Sequence, residues 1–166
     1  MSVDVREARL GDGAALARIW IENARYYVGL FPDDFVLPTD PHLGDAIDES
    51  IASAAASETS IRLVAVVDGE VGAYVAAHIE EPEPARRNML ADHRVRRAYV
   101  DSLGTADAYQ RRGLATRLVE AVEEWARGLG ARVISAETHL DSPVSIPFWE
   151  SRMGYRRRSV TLTKRL

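Results

Sequence analysis

Residues 97–130, RAYVDSLGTADAYQRRGLATRLVEAVEEWARGLG, constrain this chain more than any other stretch. They read as a strand, a tight basic loop and a helix. In Ala98–Thr105, Tyr99, Asp101 and Leu103 alternate with Val100 and Ser102, the period of an extended strand. Gly104 within it points to a β-bulge, since a strand glycine often marks one; the other reading is close packing. From Gly113 onward, Leu114, Leu118, Val122, Trp125 and Leu129 recur three or four apart, giving one apolar helical stripe. Glu123 and Arg127 support the outer face, and Gly128 and Gly130 end the helix.

The chemistry lies at the junction of loop and helix. A helix N-terminus presents unpaired N–H groups and about half a positive charge. Gly113 has no side chain and Ala115 only a methyl group, so an anion can approach the backbone. Arg111 and Arg112 beside that cradle favour a phosphate or pyrophosphate. The plainer alternative is an ordinary strand-to-helix turn carrying two solvated arginines.

The rest of the chain fits one α/β domain spanning residues 1–166, a size that supports one good core. There is no cysteine, so disulfides and thiolate metal sites are excluded. No apolar run approaches the length of about 18 residues that a membrane span needs, and MSVDVREARLGD is not a signal peptide. A cytoplasmic protein is the default expectation. The net charge of −4 argues against generic nucleic-acid binding, despite arginine clusters at 86–87, 94–97 and 156–158. The four histidines, His42, His78, His93 and His139, show no metal spacing. Signatures of phosphate-loop ATPases, dinucleotide enzymes, zinc proteases and serine hydrolases are lacking.

Along the chain, residues 3–9 suggest a short strand. A helix follows to about Arg25, with Leu16, Ile19, Trp20 and Ala24 on its apolar face. Tyr26–Asp40 reads as a loop rich in aromatics and acids. Asp40-Pro41 opens a second helix burying Leu43, Ile47, Ile51 and Ala54. Residues 61–67 and 71–79 form a hairpin about Asp68-Gly69. The polar connection 81–93 is long enough to hold a short helix. A strand over Arg132–His139 should run parallel to the 98–105 strand, because a helix joins them. Ser142-Pro143 opens a last helix ending at Met153-Gly154, and 156–165 alternate as a final strand.

Gln110-Arg111-Arg112-Gly113-Leu114-Ala115 resembles the Gln/Arg-x-x-Gly-x-Gly/Ala signature of the GNAT superfamily, the acyl-CoA-dependent N-acetyltransferases. The preceding strand, the amphipathic helix, the next strand, and Phe148-Trp149 followed by Met153-Gly154-Tyr155 are similar to that family in order and spacing. The resemblance covers residues 61–166, with a fainter fit over the first third. It implies a mixed, mostly antiparallel central sheet, flanked by helices, whose middle strands splay apart to admit acetyl-CoA. It implies that Leu103, Gly104 and Thr105 pair with the pantetheine arm, and that Gln110, Arg111, Arg112, Gly113, Leu114, Ala115 and Thr116 hold the pyrophosphate. Ser142 stands where many members have an asparagine near pantetheine.

Acetyl transfer requires a neutral amine, and an amine of pKa near 10.4 is only about 0.1% neutral around pH 7.4. Desolvation or a base must supply roughly 4 kcal/mol. Asp101 is one candidate base; Glu137 and His139, sharing a face of the next strand, are the others. The alternatives are a salt-bridged surface acid and a satisfied strand-end histidine. Trp149 occupies the position where the family usually has a tyrosine that meets the departing thiolate; an indole N–H donates but does not titrate usefully, so simple packing is the plainer reading. Tyr26, Tyr27, Phe31, Asp33, Asp34 and Phe35 lie where family members bind acceptors, and aromatics with acids suit an amine cation. The expected activity is direct transfer from acetyl-CoA to a small-molecule or protein amine, with no metal. A catalytically weak acyl-CoA sensor is the alternative, and a homodimer is left open.

Overall fold

The computed structural model describes residues 2–84 and 89–164. They fall into two units, Met1–Ser135 and Ala136–Leu166. The first holds nearly all of a five-stranded sheet in the order β1-β2-β3-β4-β5. β1 (Val3–Glu7), β2 (Ser60–Val67), β3 (Glu70–Glu80) and β4 (Arg97–Thr105) pair antiparallel in succession. The β2–β3 hairpin turns at Asp68 and Gly69 with φ of 49° and 95°, the two left-handed residues such a turn needs. β5 (Val133–Ala136) neighbours β4 beyond α3 (Leu114–Gly128), the kind of helical crossover that parallel neighbours require.

β3 is buried on both faces, as a central strand between two helical layers should be. On one face Tyr74 packs with Leu16 and Ile19 of α1 (Gly13–Leu30) and Ile51 of α2 (Leu43–Ala55). On the other, Ile79 and Ala98 pack against Ala126 of α3, with Trp125, Leu129 and Ile134 around them. In α3, Leu114, Leu118 and Val122 of the expected stripe are buried, joined by Val119 and Ala126, while Trp125 and Leu129 are half-buried. Gly130, at φ 80°, lets the chain leave the helix; Gly128 is still helical.

The start of α1 is clamped to α2. Gly11 and Gly13 donate backbone N–H groups to Asp48 Oδ1 at 3.0 and 2.9 Å, and a Cβ on Gly13 would collide with Gly44 O and the Asp48 carboxylate. Asp12, the residue before the helix, makes no side-chain cap bond. It instead accepts both guanidinium nitrogens of Arg6 and the Arg9 N–H.

Several expectations are corrected. α1 runs on to Leu30, so Tyr26 and Tyr27 are helical and the following loop begins at Phe31. Nothing in 26–30 stops a helix, and tertiary contact outweighs the weak propensity of those residues. Trp20 is 47% exposed and off the core face. α2 starts at Leu43 after a turn in which Asp40 Oδ1 accepts the His42 N–H at 2.8 Å. Residues 91–94 of the 81–93 connection form a 3-10 turn; Arg86 and Arg87 lie outside the described residues. β5 stops at Ala136, so Glu137 and His139 are not strand residues. No strand is present over 156–164, where Val160 and Leu162 are 62% and 90% exposed; alternation makes a strand only when one face is covered. Among the described residues no helix is long and apolar enough to cross a membrane.

Candidate active site

β4 carries the centre of the site, and a register shift shapes it. Val100 pairs with Ala77 and Ser102 with Ala76, which leaves Asp101 as the extra residue of a bulge. Such bulges re-aim side chains. The bulge therefore sits at Asp101 and not at Gly104, which pairs with Tyr74 in register. It also breaks the alternation read in the sequence: Ser102, opposite Ala76, joins the face of Tyr99 and His78, and Leu103, opposite Val75, moves to the other.

The bulge turns Asp101 toward β3, where its Oδ1 lies 2.8 Å from His78 Nδ1. Tyr99, the cross-strand partner of His78, holds its ring 5.8 Å away. The His78 and Asp101 side chains are 37% and 40% exposed. A pair this open contributes only about 0–1 kcal/mol to stability, so stability is a poor account of it. His78 was passed over in the sequence as one of four scattered histidines. Nothing local marks it, because the 23 residues to Asp101 are bridged only by the register of β3 on β4.

Behind the end of β4, space is tight. A Cβ on Gly104 would lie 2.6 Å from Asn23 Nδ2 and 2.6 Å from Tyr74 Cε1, so this glycine exists for close packing. Burial pushes the Tyr74 phenol up to about 12, against the opposing effects of its Ser102 hydrogen bond and the Arg62 charge. Glu22 of α1 accepts the Asp107 N–H at 3.0 Å and so ties the helix to the segment leaving β4.

That segment makes one 3-10 turn, Asp107–Tyr109, and then the basic loop. Gln110 donates to Asp107 Oδ1 at 2.8 Å, and the Arg112 guanidinium lies over the Tyr109 ring at 5.3 Å. Arg111 and Gly113 both adopt left-handed backbone, φ 59° and 78°. Alternation of this kind forms a concave nest of N–H groups. The first α3 hydrogen bond is Arg117 N–H to Gly113 O at 3.1 Å, so Leu114 and Ala115 precede any intrahelical acceptor. Arg111, Arg112 and Gly113 are exposed, and a Cβ built on Gly113 meets nothing within 4 Å. The residues present fit a pyrophosphate: open access, backbone donors and two guanidinium groups.

Leu103, Gly104 and Thr105 lead directly into this loop. The Arg132 N–H donates to Arg96 O at 2.9 Å, so β5 starts beside the start of β4 and, with four residues against nine, stops short of its end. Tyr27, Phe31 and Phe35 pack as a ring cluster, with centroids 4.9 Å apart for Tyr27 and Phe35 and 6.2 Å for Phe31 and Phe35. Tyr26 meets Tyr27 edge-on at 5.6 Å, and Asp33 and Asp34 are exposed beside the cluster.

In the second unit, Glu137 is exposed and His139 Nδ1 accepts the Asp141 N–H at 3.3 Å. Ser142 is 2% exposed, and its Oγ accepts the Ser145 N–H at 3.1 Å, capping the helical turn α4 (Ser145–Pro147). A π-helical turn, Phe148–Arg152, continues it. Trp149 is buried, with Phe148 and Tyr155 rings 5.0 and 4.8 Å away, as packing requires. Among the described residues no group of three or more His, Asp or Glu side chains is placed to hold a metal ion.

Solved structures share this fold. A tetramutant of the BH1408 protein from Bacillus halodurans aligns with a TM-score of 0.83 at 19% identity, covering 98% of this chain and 99% of that one. The AAC(6')-Iy structure in complex with a CoA-based bisubstrate analog aligns at 0.66 and 17% identity, covering 100% of both chains. Glucosamine-6-phosphate N-acetyltransferase from Arabidopsis thaliana aligns at 0.69 and 12% identity, covering 99% of both. No curated protein matches the sequence. The model of the acetyltransferase (GNAT) family matches residues 19–155, most of the chain and all of the strand–loop–helix described above, and the chain belongs to that family.

Proposed function

We propose that this protein transfers an acetyl group from acetyl-CoA to a primary amine, directly, within a ternary complex. The observation that carries the reading is the nest at Arg111–Gly113 opening α3, set at the end of a strand that β5 leaves early. In this reading Gln110, Arg111, Arg112, Gly113, Leu114, Ala115 and Thr116 hold the pyrophosphate, and Leu103, Gly104 and Thr105 offer backbone to the pantetheine arm. Asp101, Glu137 and His139 are the proton acceptors considered from the sequence. Tyr26, Tyr27, Phe31, Asp33 and Asp34 receive the amine. The absence of cysteine removes the usual covalent acetyl carrier, which favours direct transfer. AAC(6')-Iy, bound there to a CoA–acetylneamine analog, and a glucosamine-6-phosphate acetyltransferase support a small polar amine as acceptor.

Acetyl-CoA should raise the melting temperature, since a ligand that binds only the native state stabilises it. Ala115→Leu should abolish that rise by pushing the pyrophosphate off the backbone donors; an undiminished rise in the folded variant refutes the cradle. A panel of polyamines, amino acids, aminoglycosides and peptide amines, read as released CoA thiol, identifies the acceptor. Acetyl-CoA binding without release on any amine would favour the sensor reading.

A further inference from the structure

Resting on that acetyl-transfer reading, we propose that His78 is the base that takes the proton from the acceptor amine, and that Asp101 is its positioning residue. Three observations converge. The bulge spends its extra residue on bringing Asp101 to His78 Nδ1 at 2.8 Å. A carboxylate can only accept, so Nδ1 carries the proton, and a neutral ring then presents a lone pair on Nε2. Among the described residues no hydrogen bond engages that Nε2, and the ring is 37% exposed, open to a bound amine. The pair also stands one strand position before Ser102 and two before Leu103, where the thioester arm is read to lie.

The step balances within the two substrates. The amine nitrogen forms a bond to the thioester carbonyl carbon as its proton passes to His78 Nε2. The C–S bond breaks, the electron pair leaves on sulfur, and the CoA thiolate takes a proton from solvent. The resulting imidazolium is held by Asp101 and returns its proton to water. A base that works this way contributes typically 10²–10⁴-fold.

The test combines kinetics with a structural readout. With the best amine from the panel, His78→Gln should lower kcat by roughly a hundredfold or more, with the acetyl-CoA thermal shift intact. Asp101→Asn should lower kcat while leaving the amine KM in place, because its amide can donate to Nδ1 and strand the proton on Nε2. The double variant should cost no more than His78→Gln alone, as residues acting as a unit do. Nitrogen-15 spectra of the wild-type imidazole should show the Nδ1–H tautomer, shifting to Nε2–H in Asp101→Ala. Full kcat in folded His78→Gln, or an Nε2–H tautomer in the wild type, overturns the assignment. If the wild type neither binds acetyl-CoA nor releases CoA, the acetyltransferase reading falls and this one with it. If it turns over and His78→Gln matches it, only the base is misassigned.

Discussion

Gly104→Ala tests the close packing beneath the end of β4. The new methyl would sit 2.6 Å from Asn23 Nδ2, 2.6 Å from Tyr74 Cε1 and 3.0 Å from Tyr74 Cζ. Carbon contacts are favourable only from about 3.5 Å, so each neighbour must retreat by about 1 Å. Asn23 is half-buried and can swing. Tyr74 cannot easily do so: it is 8% exposed, packed with Leu16, Ile19 and Ile51, and bonded to Ser102. Overpacking of this kind costs about 1–3 kcal/mol, and losing the Tyr74–Ser102 bond adds about 1 more. At about 2–4 °C per kcal/mol, the melting temperature should fall by about 5–15 °C in circular-dichroism scans. Tyr74→Leu removes the two ring atoms that clash. In a double-mutant cycle Gly104→Ala should then cost at least about 1 kcal/mol less than in the wild type. An unchanged melting temperature in Gly104→Ala, or a strictly additive cycle, would refute the argument.

Three further outcomes are expected. Ultraviolet titration should find one tyrosine, lost in Tyr74→Phe, that ionises near 12; its native value is raised, so its contribution of about 3 kcal/mol is complete below pH 10 and disappears as pH rises through 12, and ionisation of all six tyrosines near 10 would contradict this. For Asp12, burial pushes the carboxyl up, but the Arg6 hydrogen bond, the Arg9 N–H and both arginine charges outweigh it and hold it below the ordinary range. Its contribution is present above about pH 4 and lost as pH falls through the lower native value, so Asp12→Asn should flatten the acid limb of stability against pH, and an unaltered limb would count against the pairing. Trp149→Phe should keep most of kcat, since the indole packs between Phe148 and Tyr155; a hundredfold drop with acetyl-CoA binding intact would show that its N–H is catalytic.

What could be read in the sequence was whatever a local pattern encodes. The strand, loop and helix from Arg97 to Gly128 emerged within a residue of their observed bounds, because alternation, a left-handed glycine and a helical stripe are all local signals. The β2–β3 hairpin was legible for the same reason. The bulge at Asp101 was not, since it is a property of two strands, and the connection between them is too long to fix their register. Without the register there is no sign that His78 and Asp101 meet. The α1 terminus escaped because Tyr26, Tyr27 and Val28 are poor helix formers held by tertiary contact. The 156–164 alternation misled because a pattern cannot report whether anything covers it.

The clamp of Asp48 on Gly11 and Gly13 sets a length requirement on the segment between the first two helices. α1 is 18 residues long, about 26 Å, yet α2 begins beside the start of α1 and not its end. The chain must therefore travel back the way it came. Phe31–Phe35 is curled into a turn, with Asp34 and Phe35 N–H groups donated to Phe31 O, and it advances the return very little. Only the eight steps from Phe35 to Leu43 remain, and they span at most about 26 Å. Because Phe35 lies against Tyr27, the distance to cover is at least about 21 Å, so the return has little length to spare. Val36 and Leu37 on this return are exposed, at 85% and 43%. Residues 31–42 can then be substituted or lengthened without loss of the clamp, while shortening them would pull α2 off its mooring on α1.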